Sequence, residues 1–307
     1  MRLAFVTYRA LPQLTDDDRL AVAELRQHGA TVESAVWDSP LVDWGRYDAL
    51  VLRSVWDYTT RPDAFEGWLA EVGQLGIPLW NPPPLVRWNI DKRYLVDLSD
   101  RGITTIPTVI VEQGSAVSLA EVVAETGWRE VVYTPSIGTS AVAAVRVPVA
   151  SRGEHEAPFA RLVAERDVMV QPFLHDIAAE GEWSLLFFGG QYSHAVQKGA
   201  RVDVVRAQRG AGATVVAATP RPALIAAAQA IVDLLPTPWL HARVDGYASG
   251  GALALVALEL IDPELFLASH PSAPRRYAAS LRRLVAGRRT PAAFTPRSVT
   301  PPGGSGA

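Results

Sequence analysis

Three carboxylates near the C-terminal end are the first residues with chemistry to offer. Asp245 lies in "HARVDG", near the end of one apolar run, and Glu259 near the end of the next, in "ALELIDPELF", with Asp262 just beyond it. If the two runs are antiparallel neighbours, the three side chains converge. Oxygen ligands that leave room for water and phosphate oxygens suit Mg²⁺. Without further context they read as ordinary acids at strand ends. A second candidate is "VVYTPSIGTSA", residues 131–141, a strand running into a Gly/Ser/Thr loop. Such loops can offer backbone amides to a phosphate, and phosphate sites usually carry a lysine as well. Here the strand ends in Tyr133, and a plain turn between two strands is the competing reading.

Lysine is scarce everywhere. Of 29 basic residues, two are lysine, Lys92 and Lys198. An alanine-, arginine- and proline-rich chain suggests a GC-rich coding bias. A lysine that survives such a bias marks either a place needing a compact, flexible ammonium or chance. There is no GxGxxG after the first strand and no GxxxxGK[ST], so a dinucleotide fingerprint or Walker loop has no support. The six histidines are scattered without metal-ligand spacing, and the chain has no cysteine, which excludes disulfides and thiolate chemistry.

The elements that must position these residues follow from periodicity. The 307 residues suffice for a substantial core and more than one structural unit. Just under half are apolar, with no run long enough to span a membrane. The N-terminus turns polar too soon for a signal peptide. A net charge of −3 gives no polycationic face for nucleic acid. A cytoplasmic location, no membrane partner and no nucleic-acid partner are the expectations.

"RLAFVTY", "TVESAVW" and "YDALVLRSVW" read as strands, with helices "DDDRLAVAELRQHG" and "RPDAFEGWLAEVGQLG" among them. That alternation predicts a parallel sheet with helices on its faces. The proline run in "IPLWNPPP" marks a boundary, giving a first domain over 1–87. "NIDKRYLVDLSDRG" reads as one helix, and "TIPTVIV" and "EVVYT" as strands around the helix "SLAEVVAETG". "DVMVQPFL", "GEWSLLFFGG" and "QYSHAVQK" carry the strand-and-Gly-turn pattern of antiparallel sheet. The helix "RPALIAAAQAIVDLL" follows, then the strands "WLHARVDGY" and "ALALVALELI" and the helix "PRRYAASLRRLVAG". Units over 88–165 and 166–288 and a disordered, Pro/Ser/Gly/Thr-rich tail over 289–307 complete the division.

"RSVWDYTTRP", "NPPPLVRWNIDKRYL", "VMVQPFL", "EGEWSLLFFGGQYSHAVQK", "ARVDG" and "LELIDPELFL" occur in the order expected of an ATP-grasp protein. The chain resembles the branch related to glutathione synthetases and to the cyclo-ligase of cycloserine biosynthesis. The resemblance implies an N-terminal parallel α/β domain followed by a two-subdomain α+β ATP-grasp fold. It also implies ATP and Mg²⁺ as cofactors and small-molecule carboxylate and amine substrates. By position, Lys92 is expected at the nucleotide phosphates, with Tyr133, Ser136, Gly138, Thr139 and Ser140 on the strand and loop beside them. Gln171 and Phe173 are expected at the adenine hinge, and Glu180 or Glu182 at the ribose. Lys198 and Arg206 are the expected catalytic cations, and Arg206 also faces the substrate. Asp245, Glu259 and Asp262 are the expected metal ligands. Arg53, Ser54 and Trp56 would line the substrate end. A homodimer is compatible with the resemblance.

Two departures stand out. The family strand reads "VVKP", and Tyr133 is assigned here to the position of its lysine. Ala257 stands two residues before Glu259, where relatives carry an acid, and on a strand that spacing puts both side chains on one face. The readings are therefore three. One is an ATP-dependent carboxylate–amine ligase, amide-forming or cyclising, working through an acyl phosphate in specialised metabolism. Another is a degenerate ATP-grasp protein that binds a ligand or partner, or runs a different reaction, in the same cleft. The last is a plain α/β binding protein.

Overall fold

The computed structural model describes residues 1–138, 144–174, 181–199, 214–249 and 252–287. In its first sheet the two central strands are near-continuous apolar runs, the signature of strands buried on both faces. Strands β1 (Arg2–Thr7), β2 (Thr31–Val36), β3 (Ala49–Ser54) and β4 (Leu79–Trp80) pair in parallel in the order β2-β1-β3-β4. Helix α1 (Asp16–Gln27) links β1 to β2, and α2 (Pro62–Gln74) links β3 to β4. The Thr15 hydroxyl accepts from the Asp18 amide at the start of α1, and three acids fill the first turn, where they complement the helix dipole.

The proline run that reads as a boundary also begins a helix. α3 (Pro83–Ile90) has proline in its first turn, where a missing N–H costs nothing. It stops at Asp91, and the helix resumes three residues later as α4 (Tyr94–Asp100). The single helix expected over 89–102 is thus broken at Asp91–Arg93. There the chain bridges to Ile137, and the Lys92 amide donates to the Ser136 carbonyl at 3.0 Å.

A second sheet is antiparallel, in the order β5 (Val109–Val111), β8 (Val168–Pro172), β6 (Val131–Pro135), β7 (Val145–Val147). Helices α5 (Leu119–Thr126), which opens on a Ser118/Glu121 capping box, and α6 (Arg152–Glu165) bury one of its faces. The third sheet is also antiparallel. Its order is β11 (Val215–Ala217), β10 (Gln191–Lys198), β9 (Glu182–Phe188), β12 (His241–Ser249), β13 (Ala252–Glu259). β9 turns into β10 through Gly189 and Gly190, both at positive φ, as the tight hairpins that match strand twist require. α7 (Pro222–Asp233) packs Leu224, Ala228 and Ile231 on one face of this sheet. The last helix, α8 (Ala273–Gly287), returns to the first sheet: Tyr277 and Leu281 share a core with Leu3, Phe5 and Leu25. Among the described residues no helix is long and apolar enough to cross a membrane. The expected tail over 289–307 lies outside the described residues.

Candidate functional site

Strand register alone gathers the polar residues of the third sheet onto one face. Directly opposed residues of antiparallel strands point the same way. Glu182 is opposite Lys198, Ser184 opposite Asp245, Asp245 opposite Ala257, and Arg243 opposite Glu259. The side chains then close a buried network. Lys198 Nζ lies 2.7 Å from Glu182 Oε1 and 3.5 Å from Asp245 Oδ2. Arg243 grips Asp245 from both Nε and the NH2 nitrogen, at 2.8–3.0 Å, and the Ser184 hydroxyl donates to Asp245 at 2.5 Å. Burial alone would raise the Asp245 carboxyl, but the charges of Arg243 and Lys198 outweigh it and hold the group well below the usual carboxylate range. Arg243 is 3.8 Å from Glu259, whose side chain keeps 36 % of its surface exposed.

Lys92 stands in the break between α3 and α4, and its neighbours fix it beside this network. Asn89 donates to the Leu258 carbonyl and accepts from the Leu260 amide; the Leu258 amide donates to the Tyr94 hydroxyl. Asn89 and Tyr94 bracket Lys92, and Leu258 and Leu260 bracket Glu259. The Lys92 ammonium reaches the opposite way, to the carbonyls of Pro135 at 3.5 Å, Ser136 at 3.3 Å, and Gly138. One lysine thus joins the end of β6 to the end of β13.

On β6 the sequence expectation needs correction. Tyr133 is 2 % exposed and sits edge-on to Phe159, with ring centroids 5.3 Å apart, in the core beneath α5 and α6. It faces away from the side of the sheet that carries Gln171. The residue immediately before Pro135, the place of the lysine in "VVKP", is Thr134. Thr134 is opposite Met169 and shares the Val132/Gln171 face. Met169 packs there with Leu185 and Phe187 of the third sheet, so this is the face that meets it. The Thr134 hydroxyl is buried and has no hydrogen-bond partner.

The expected hinge residues differ in setting. Gln171 donates to the Thr108 hydroxyl at 2.9 Å, and the Phe173 ring carries the Arg146 guanidinium 3.8 Å above its centroid. At the expected substrate end, Arg53 and Ser54 are both paired with Asp18. Arg53 is 2 % exposed and its Nε lies 2.7 Å from Asp18, whose other oxygen accepts from the Ser54 hydroxyl. A buried guanidinium needs such a partner, and the pairing turns both residues inward. Trp56 is 41 % exposed beside Tyr8, and the preceding Val55 amide donates to Asp262 at 3.0 Å. Burial and the nearby Glu259 charge push the Asp262 carboxyl up to about 7. Thr139, Ser140, Glu180 and Arg206 lie outside the described residues.

The three expected metal ligands do not share one coordination sphere. Arg243 occupies Asp245, and among the described residues no cluster of three metal-ligating side chains forms. Mg²⁺ is commonly held by one or two carboxylates plus substrate phosphates. Glu259, half-open and next to Asp262, fits that mode, while Asp245 does not. The orphaned Thr134 hydroxyl and the Lys92 ammonium fit a phosphate-bearing ligand. Arg243 and Thr134 escaped the sequence reading; Arg243 was within reach, because it lies two residues before Asp245 on the same strand face.

A parallel sheet followed by two antiparallel sheets is a fold shared with solved ATP-grasp ligases, among them PsnB, with a TM-score of 0.62 at 14 % identity over 92 % of this chain and 99 % of that one. The D-alanine–D-alanine ligase of Bacillus anthracis superposes with a TM-score of 0.68 at 15 % identity, over 94 % of this chain and 100 % of that one, a likeness of fold alone. Residues 3–81 match the family described as D-cycloserine synthetase DcsG, N-terminal domain. The chain is 32 % identical over 279 residues to the cycloserine biosynthesis protein DcsG of Streptomyces lavendulae, covering 83 % of this chain and 89 % of that protein. The crystal structure of D-cycloserine synthetase DcsG superposes with a TM-score of 0.84 at 31 % identity, over 93 % and 100 % of the two chains. The chain belongs to the ATP-grasp superfamily of ligases, in the family of DcsG.

Proposed function

We propose that this protein is an ATP-dependent carboxylate–amine ligase that closes or joins an amino-acid-like small molecule in specialised, antibiotic-type metabolism. The observation that carries the reading is the placement of Lys92. Asn89 and Tyr94 tie it to the strand end bearing Glu259, while its ammonium meets the loop after β6. The relatedness to DcsG supports the substrate class.

ATP supplies the phosphoryl group that activates the carboxylate, and Mg²⁺ offsets phosphate charge. Phosphoryl and acyl transfer of this kind need positioning and charge neutralisation more than covalent help. Lys92 and Thr134 would hold the phosphates, and Glu259 with Asp262 the metal. Arg243 and Lys198 keep fixed positive charge at the substrate side, already oriented by Asp245 and Glu182. The amine nitrogen bonds to the acyl carbon, phosphate departs with the C–O bond, and the nitrogen loses a proton.

The test is release of ADP and phosphate from ATP and Mg²⁺ in the presence of a panel of small amino acids and amines, followed by mass spectrometry of the product. Turnover with loss of water from substrate, or with its joining to an amine, is the expected result. Protein that neither binds ATP by calorimetry nor releases ADP would overturn the proposal and leave a ligand-binding protein on the same fold.

A further inference from the structure

Lys92 is followed at once by a second cation, and the two take hold of neighbouring strands. β6 and β8 end their pairing at Pro135 opposite Val168. One residue further out, the Ser136 amide donates to the Asp167 carbonyl at 2.9 Å. Lys92 holds the β6 side: its amide donates to the Ser136 carbonyl at 3.0 Å, and its ammonium is 3.3 Å from the same oxygen. Arg93 holds the β8 side, donating from the NH2 nitrogen to Asp167 Oδ2 at 2.8 Å. Lys92 and Arg93 are joined by the chain itself. The links therefore close a ring through Lys92, Ser136, Asp167 and Arg93.

Arg93 has three acids within reach, and distance decides which of them counts. Asp91 and Glu112 are 3.5 and 3.6 Å away, and Glu112 is mostly exposed; contacts of that kind contribute little. Asp167 is the near partner, and its other oxygen accepts from the Gln113 amide at 2.7 Å, which fixes the carboxylate just beyond β5. Partial burial opposes ionisation of Asp167, but the hydrogen bonds from Arg93 and the Gln113 amide outweigh it and hold the carboxyl below its usual range. Asn89 and Tyr94 already fasten the flanking helices to β13 of the third sheet. What Arg93 adds is the tie to the second.

We propose that Arg93 and Asp167 are positioning residues for Lys92, setting where its ammonium stands over the loop after β6 and, through it, the affinity for the nucleotide. They act without touching the ligand. This rests on the reading of the cleft as an ATP site. With the Arg93–Asp167 link cut, Lys92 follows the loop alone and no longer the frame of β6 and β8.

The experiment measures binding of ATP with Mg²⁺ by calorimetry, and the ligand-free Tm, for wild type, Arg93→Met, Arg93→Lys and Asp167→Asn. The link is part-exposed and asparagine keeps the shape of aspartate, so all four proteins should fold. Positioning predicts that Arg93→Met and Asp167→Asn each weaken ATP binding about five- to tenfold, while Arg93→Lys keeps most of the affinity. The two weakening substitutions change the net charge in opposite senses. A bystander carboxylate would only repel the phosphates, and its loss would tighten binding. Tighter or unchanged binding in Asp167→Asn would therefore overturn the proposal and leave the ligase reading intact. Wild-type affinity in Arg93→Met, with a lower Tm, would show a clamp that serves the fold alone, and would overturn it too. Absence of ATP binding in wild type would overturn the ligase reading itself, and this assignment with it.

Discussion

Lys198 is held between Glu182 and Asp245 with almost no access to water. Removing one member of a buried ion pair leaves the other uncompensated. Lys198→Met should therefore lower stability by about 3–5 kcal/mol in urea unfolding. Adding Glu182→Gln should recover a good part of that, because an apolar or neutral replacement of both partners is far less costly. His194 works through the opposite logic. Its ring is buried, with Nε2 3.0 Å from the Leu265 carbonyl and 3.1 Å from that of Phe266, and burial lowers its pKa from 6.5 to about 4. Between those values the unfolded chain binds a proton that the folded one refuses. The stability due to His194 is thus full above pH 6.5 and is lost as the pH falls toward 4. Unfolding measured at pH 5 rather than 7 should show about 2 kcal/mol less stability from this group, and His194→Gln should flatten that slope. At this scale the sequence was an uneven guide. The two apolar runs were enough to put Asp245 and Glu259 on neighbouring antiparallel strands, but Tyr133 was assigned to the wrong face, because Val131 to Pro135 are all buried on β6 and no polar alternation marks which side meets the third sheet.

Elements meet through side chains that stand in for missing strands. Asn81, just after β4, donates to the carbonyls of His241 and Leu260, each at 2.7 Å, and accepts from the Leu240 and His241 amides. Asn89 repeats the device at Leu258 and Leu260. Asn81→Ala would leave several buried backbone groups unpaired. Stability should fall by about 3 kcal/mol or more, with a lower midpoint and an unchanged slope in urea unfolding. The β-α-β start and the glycine-turned β9–β10 hairpin were legible, since each shows its own hydrophobic period over enough residues. β7, α6 and β11 were not read as elements. The two three-residue strands are too short to show a period, and α6 carries Pro158 within it and buries only Phe159 and Val163 fully. The break at Asp91–Arg93 was hidden for another reason: partners some 44 residues away, around Ser136, impose it. No local propensity encodes such a contact.

At the scale of the whole molecule, the first turn of α1 fastens the loop beyond β13. Asp17 accepts from the Leu267 and Ala268 amides at 2.9 Å, and Asp18 holds Arg53, which in turn donates to the Pro263 carbonyl. Asp18→Asn should lower global stability by about 3–5 kcal/mol by leaving Arg53 buried without its counter-charge. Amides of the 263–268 loop should also lose hydrogen-exchange protection, and that loop follows directly on Asp262. The same closure bears on how the chain is made. Leu3, Phe5 and Leu25 are synthesised long before the partners that complete their core, Tyr277 and Leu281, which are among the last of the described residues. Asp17 waits for Leu267, 250 residues downstream. Until Tyr277 and Leu281 are made, the nascent chain therefore carries an apolar face with part of its cover missing. Until α8 has been made, Leu3, Phe5 and Leu25 lack two of the residues that complete their core, and transiently exposed apolar surface of this kind is prone to aggregation.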